Sequence, residues 1–178
     1  MRFFHVSERT GIARFEPRPP PSLDAGVSDD VVWAIEARLL ANYLLPRDCP
    51  RVTFHATAAT TPADVARFFA AGQPRHAVVI EEAWAARVRA AVLRLYEFPP
   101  AKFTLADATA AYWVSREPVV PLLETGVADL PAAIEATGAE FRTVPSLWPL
   151  RDAVFASTLG FSFIRMRHAQ PRSDPARG

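Results

Sequence analysis

Val92-Leu93-Arg94-Leu95-Tyr96-Glu97-Phe98, closed by Pro99-Pro100, is the stretch on which the fold turns. It is the cleanest alternating segment of the chain and reads as a strand with Arg94 and Glu97 facing outward. The proline pair ends it, because proline cannot donate to a ladder. Downstream, Ala111 to Ser115 and Val119 to Leu123 read as two more strands with no helical pattern between them. Strands in direct succession belong to an α+β domain rather than to a regular doubly wound sheet.

Upstream, residues 2 to 6 read as a short buried strand. Pro17 to Pro21 and the polar residues to Asp30 read as loop, since stacked prolines exclude helix and inner strand. Val31-Val32-Trp33-Ala34-Ile35 is β-branched and aromatic, hence strand. Glu36 to Leu45 turns helical, with Leu39, Leu40, Tyr43 and Leu44 on one face and Pro46 as the stop. Arg51 to Ala56 is a strand. Thr61-Pro62-Ala63-Asp64 opens a helix with Thr61 as cap, and Gly72 ends it. His76 to Ile80 reads as strand and Glu81 to Ala90 as helix. Asp129 to Thr137 is a helix closed by a left-handed Gly138, and Glu140 to Val144 a strand. Ser146 is expected to cap a helix reaching Ser157. Phe161 to Met166 fits either helix or strand. One domain over 1–169 and a disordered tail over 170–178 are expected.

The 178 residues are half hydrophobic and carry a formal net charge of +1, so no global charge argues for nucleic acid or an acidic membrane. Lys102 is the single lysine, and the basic charge is otherwise arginine. Cys49 is the single cysteine, which excludes an intramolecular disulfide and suits a reducing, cytoplasmic setting. Neither a signal peptide nor a membrane-length apolar run is legible.

His5 is the leading candidate for chemistry: a strand-end imidazole that can bond a ligand hydroxyl or act as acid or base, with Ser7 and Glu8 beside it. The alternative is an edge-of-core histidine bonded to backbone. Trp33 and Tyr43 offer faces for a flat ring, or core packing. Tyr112-Trp113-Val114-Ser115-Arg116-Glu117 combines aromatics, a hydroxyl and charge at a strand end. Arg165 and Arg167 would share a face on a strand and clamp a phosphate or carboxylate. Glycine-rich phosphate loops, metal-ligand spacings and nucleophile elbows are all missing, and the four histidines at 5, 55, 76 and 168 are scattered, so no metal is expected.

Two resemblances enter on these residues. Phe4-His5-Val6-Ser7-Glu8, Phe15-Glu16-Pro17-Arg18, Val32-Trp33-Ala34-Ile35, Pro46-Arg47-Asp48-Cys49-Pro50-Arg51, Tyr112 to Glu117 and Ser146-Leu147-Trp148-Pro149-Leu150 resemble an uncharacterised bacterial family over nearly the whole chain. More distantly, Phe3-Phe4-His5-Val6-Ser7, Val32-Trp33-Ala34-Ile35 and Leu40-Ala41-Asn42-Tyr43 resemble the first strands and helix of ADP-ribosyltransferase-like folds. That resemblance implies a bent or split, mostly antiparallel sheet flanked by helices, with NAD as substrate. It implies that His5 binds the ribose, that Trp33 and Tyr43 flank the nicotinamide, and that Ser7, Tyr112 and Ser115 line the cleft. The chain departs from the pattern at the catalytic acid: Tyr112 stands where a glutamate is expected, and Glu117 is displaced. Without a carboxylate near the cationic centre, transfer slows.

Three readings follow. One is an NAD-using transferase or glycohydrolase with His5 and Glu117 as catalytic residues. The second is a non-catalytic module of the same fold that binds a nucleotide or other phosphorylated ligand. The third is a phosphotransferase-like protein leaning on Arg18, Arg47, Arg165 or Arg167. The binding reading expects His5 and arginines in a cleft with no acid facing it.

Overall fold

The molecule, described over residues 1–20 and 27–172 by a computed structural model, is an α+β domain built on two sheets. Strands β1 (Phe3–Ser7), β2 (Val32–Glu36), β5 (Leu93–Phe98), β6 (Thr104–Asp107), β7 (Tyr112–Ser115) and β8 (Leu123–Val127) form the first, in the order β6-β7-β2-β1-β5-β8. Every neighbouring pair in it is antiparallel. The second sheet has the order β10-β3-β4-β9, from β3 (Arg51–His55), β4 (His76–Glu81), β9 (Glu140–Val144) and β10 (Gly160–Ile164). Its β4–β9 pair is parallel and the others antiparallel.

Three apolar clusters hold these layers. One lies between the sheets, where Phe4 and Leu93 of the first meet Val78 and Ile80 of the second, with Val88 of α2 (Ala85–Ala90) and Leu130 and Ile134 of α3 (Leu130–Ala136). The second backs the other sheet, where Val52, Phe54, Ala77 and Val79 are covered by Phe68 of α1 (Pro62–Phe68) and Val154 of α4 (Trp148–Phe155). The third covers the outer face of the first sheet with Phe3, Ala34, Tyr96, Phe98 and Phe15. Strand β4 is buried on both faces, which is why Ala77-Val78-Val79-Ile80 is a continuous apolar run.

Local signals place most elements. Thr61 caps α1 by accepting from the Asp64 N–H at 3.2 Å, with Pro62 in the first turn. Gly138 follows α3 at φ +84°, where a Cβ would be strained.

Three expectations are corrected, and one strand lies where none is expected. Residues 119 to 123 are not a strand: Val119 forms a lone bridge to Phe15, Pro118 and Pro121 interrupt the ladder, and β8 starts at Leu123. The segment after β2 is a 3-10 helix, Ala37–Tyr43, distorted at Leu39; its residues 39 to 42 are all buried, so tertiary packing overrides the α-helical period. Leu147, not Ser146, precedes the first residue of α4. Strand β6 carries no alternation because all four of its residues are exposed. The ambiguous segment beginning at Phe161 belongs to β10, paired along its length with β3. Of the expected tail, Gln170 is bonded at both backbone groups, its N–H to Glu81 at 3.0 Å and its carbonyl to the Trp148 indole at 2.7 Å. Residues 173–178, like 21–26 in the expected proline loop, lie outside the described residues.

Candidate functional site

Strands β1 and β2 share only two register pairs, Phe3↔Glu36 and Phe4↔Ile35, while β1 pairs with β5 through all five of its residues. Beyond Phe4 the two strands part, and His5 sits at the parting. Its Nδ1 lies 3.3 Å from the Trp33 carbonyl oxygen, and its ring packs 4.9 Å from Phe15. Burial pushes the His5 imidazole below its ordinary value, with the charges of Arg47 and Arg18 adding to the effect and the Trp33 carbonyl opposing it. No carboxylate among the described residues acts on it. The ring is therefore neutral at pH 7, with Nδ1–H donating to the carbonyl and Nε2 left as an acceptor.

Strand alternation puts Phe3, His5 and Ser7 on the outer face of the first sheet, opposite Phe98, Tyr96 and Arg94 of β5. Trp33 and Tyr112 face the other way, toward the second sheet, as the pairs Trp33↔Val114 and Ile35↔Tyr112 require. There the Trp33 and Tyr112 rings meet edge to face at 5.5 Å. The Tyr43 hydroxyl donates to the Tyr112 hydroxyl across 2.6 Å. The fold thus brings Trp33, Tyr43 and Tyr112 into one aromatic group and joins His5 to it through the Trp33 backbone.

The remaining expected residues lie elsewhere. Ser7 Oγ accepts from the Arg9 N–H at 3.0 Å, closing the turn after β1. Ser115 is buried and occupied by its own turn, donating to the Glu117 carbonyl at 2.9 Å and accepting from the Glu117 N–H at 3.2 Å. The Glu117 side chain is 74% exposed and ion-paired to Lys102 at 3.3 Å. These two residues line a shallow hollow of about 270 Å³ with Lys102, Thr104 and Arg116. Arg165 and Arg167 do not share a strand face: β10 ends at Ile164, Arg165 is left-handed at φ 56°, and Arg167 lies in a 3-10 turn.

Arg51 was not among the expected site residues. Its strand alternates: Val52 and Phe54 enter the core behind the second sheet, so Arg51, Thr53 and His55 face the first sheet. That period-two pattern was present in Arg51-Val52-Thr53-Phe54-His55 as the signal to follow. Arg51 is only 4% exposed. Its Nη1 donates to the carbonyls of Pro46 at 3.2 Å and Cys49 at 3.0 Å. It makes no ion pair among the described residues, and its Nε is buried without a partner. Burial lowers its pKa, and nearby Arg165 lowers it further. The neighbouring acids are weak ones held protonated. Burial and the Tyr112 phenol push the Tyr43 hydroxyl well above 10.0, and burial pushes the Cys49 thiol up to about 12.

Along the same face, His55 and His76 pair across β3 and β4 with rings 5.6 Å apart. His76 Nε2 donates to buried Asn42 Oδ1 at 2.7 Å, and burial pushes its pKa down to about 4. Among the described residues no group of three or more histidine, cysteine, aspartate or glutamate side chains converges on a metal-sized site. No helix among them is long and apolar enough to cross a membrane.

The chain belongs to a family of unknown function, DUF6886, whose family model matches residues 4–169. No curated protein and no solved structure matches the chain.

Proposed function

We propose that this protein binds a nucleotide-type ligand, with ribose and phosphate groups, at the parting of β1 and β2. The observation that carries the reading is the setting of His5: a neutral imidazole under the influence of Arg18 and Arg47, with no carboxylate among the described residues acting on it. A neutral ring with Nε2 as acceptor suits a ribose hydroxyl, and guanidinium groups suit phosphate oxygens. Trp33, Tyr43 and Tyr112 lie on the opposite, inner face of the sheet, so a ligand that enters between β1 and β2 past His5 reaches there an aromatic surface on which a base or nicotinamide ring stacks. NAD and ADP-ribose contain all three elements and are the ligands to try first.

The reading is of binding before catalysis. Transfer of ADP-ribose needs a negative charge beside the cationic centre, and Glu117 is committed to Lys102 at an exposed strand end. A second reading, NAD-consuming transfer, rests on Glu8, whose Oε1 accepts the Arg47 N–H at 3.4 Å and so belongs to the same neighbourhood.

Calorimetric titration with ADP-ribose, NAD and nicotinamide tests both. The binding reading expects saturable heats for ADP-ribose and NAD, their loss in His5→Ala, and no nicotinamide release. Release that is abolished in Glu8→Gln establishes the second reading. Silence from both nucleotides refutes the site.

A further inference from the structure

Buried polar atoms are nearly always paired, so those that are not call for a partner. Two buried side-chain polar atoms lack one among the described residues, Trp33 Nε1 and Arg51 Nε. Both are donors and neither can accept, so the missing group is an acceptor. Both side chains point into the space between the sheets. Trp33 faces the second sheet with its ring on Tyr112, Tyr112 bonds Tyr43, and Arg51 faces the first sheet from β3.

Charge narrows the acceptor further. A buried guanidinium without a counterion is costly, because burial removes the water that would otherwise solvate it. Arg51 satisfies one nitrogen on two carbonyls and has no carboxylate partner among the described residues. Half-buried Arg165 stands close enough to add to the positive field, and it too makes no ion pair among the described residues. Its left-handed backbone, at φ 56°, is a conformation a residue with a Cβ keeps only when its surroundings impose it. A water molecule would satisfy the two donors and leave the charge unbalanced. An oxyanion answers both.

We infer that Arg51 and the Trp33 indole N–H form a phosphate subsite on the inner face of the first sheet, flanked by the Tyr43–Tyr112 pair and Arg165. This deepens the nucleotide reading by adding Arg51, on the inner face, to Arg18 and Arg47 as a phosphate partner, and it rests on that reading for the rest of the ligand. The subsite itself recognises inorganic phosphate as well as the phosphate of a nucleotide.

Thermal unfolding of the full chain in inorganic phosphate, against chloride at matched ionic strength, tests the subsite without a nucleotide. Wild type is expected to show a saturable rise in Tm with phosphate. Arg51→Met keeps the shape of the stem and removes the buried charge, so its Tm in chloride should equal or exceed that of wild type. Its phosphate affinity should fall by about tenfold or more, as loss of a charged hydrogen bond predicts. Trp33→Phe removes one N–H without changing charge and should weaken phosphate several-fold, which keeps the test open if Arg51→Met fails to fold. His5→Ala should keep the phosphate response and lose ADP-ribose. A phosphate response absent in wild type, or undiminished in both Arg51→Met and Trp33→Phe, overturns the subsite. If phosphate behaves as expected but ADP-ribose does not bind wild type, the subsite stands and the nucleotide reading fails.

Discussion

The Tyr43 and Tyr112 hydroxyls meet at 2.6 Å although one lies on a 3-10 helix and the other on β7, 69 residues apart. Neither hydroxyl has another partner among the described hydrogen bonds. The contact ties the segment after β2 to the sheet and completes the aromatic group of Trp33, Tyr43 and Tyr112.

Removing one of these hydroxyls strands the other. Tyr43→Phe is expected to cost about 1–2 kcal/mol, read as a lower denaturant midpoint with an unchanged slope. The same burial sets an alkaline limit. Because the folded Tyr43 phenol titrates well above its ordinary 10.0, its stabilising contribution is complete below that pH and is lost as pH rises toward the folded value. Wild type should lose stability above pH 10 more steeply than Tyr43→Phe. Identical alkaline profiles would contradict this.

Acid should act through the histidines. His5, His55 and His76 are all shifted down by burial, His76 from 6.5 to about 4. Each resists protonation when folded and accepts it when unfolded, so stability is full above about pH 6.5 and falls as pH drops. For His76 the loss reaches about 2–3 kcal/mol at pH 4. Urea unfolding at pH 7.5, 5.5 and 4 should show this decline, and His76→Gln should flatten part of it. A pH-independent midpoint over that range would remove the buried histidines from the account.

Glu81 is fully buried at the end of β4 and accepts the Leu147 N–H at 3.3 Å and the Gln170 N–H at 3.0 Å. Glu81→Ala leaves both donors without an acceptor and is expected to cost about 2–4 kcal/mol. Residues 170–172 should then become accessible to protease. Retained stability together with retained protection would show that these bonds are dispensable.

Gly160 lies opposite His55, and a Cβ there would stand 2.8 Å from the imidazole Nε2 and 3.0 Å from Thr57 Cγ2. Gly160→Ala must displace the His55 ring and is expected to destabilise by about 1–2 kcal/mol. The readout is the midpoint of unfolding, supported by a shift of the His55 ring resonances. An unchanged His55 environment together with an unchanged midpoint would contradict this close approach.

The strands legible from sequence are those rich in buried apolar residues. Leu93 to Phe98 buries Leu93 on one face and Tyr96 and Phe98 on the other, and Ala77 to Ile80 is apolar throughout because both faces are covered. Strand β6 was illegible because its residues are all exposed and its pairing is set by β7. The 3-10 helix is indistinguishable in sequence from an ordinary helix because propensity carries no information about packing on all sides.

The site was legible in part for a similar reason. Trp33, Tyr43 and Tyr112 announced themselves as large aromatics, whereas the need of Arg51 for a counterion arises only from its burial. No local pattern states that Glu117 will pair with Lys102 or that Ser115 will be occupied by its own turn.

The four indole N–H resonances test the central claim most directly. Trp113 Nε1 lies 3.4 Å from Glu36 Oε2 and Trp148 Nε1 donates to Gln170, while Trp33 Nε1 has no protein acceptor. In a nitrogen–proton correlation spectrum, titration with ADP-ribose should move the Trp33 resonance, assigned through Trp33→Phe, and leave that of Trp148 in place. A Trp33 indole that does not respond at saturating ADP-ribose would contradict a ligand site at the parting of β1 and β2.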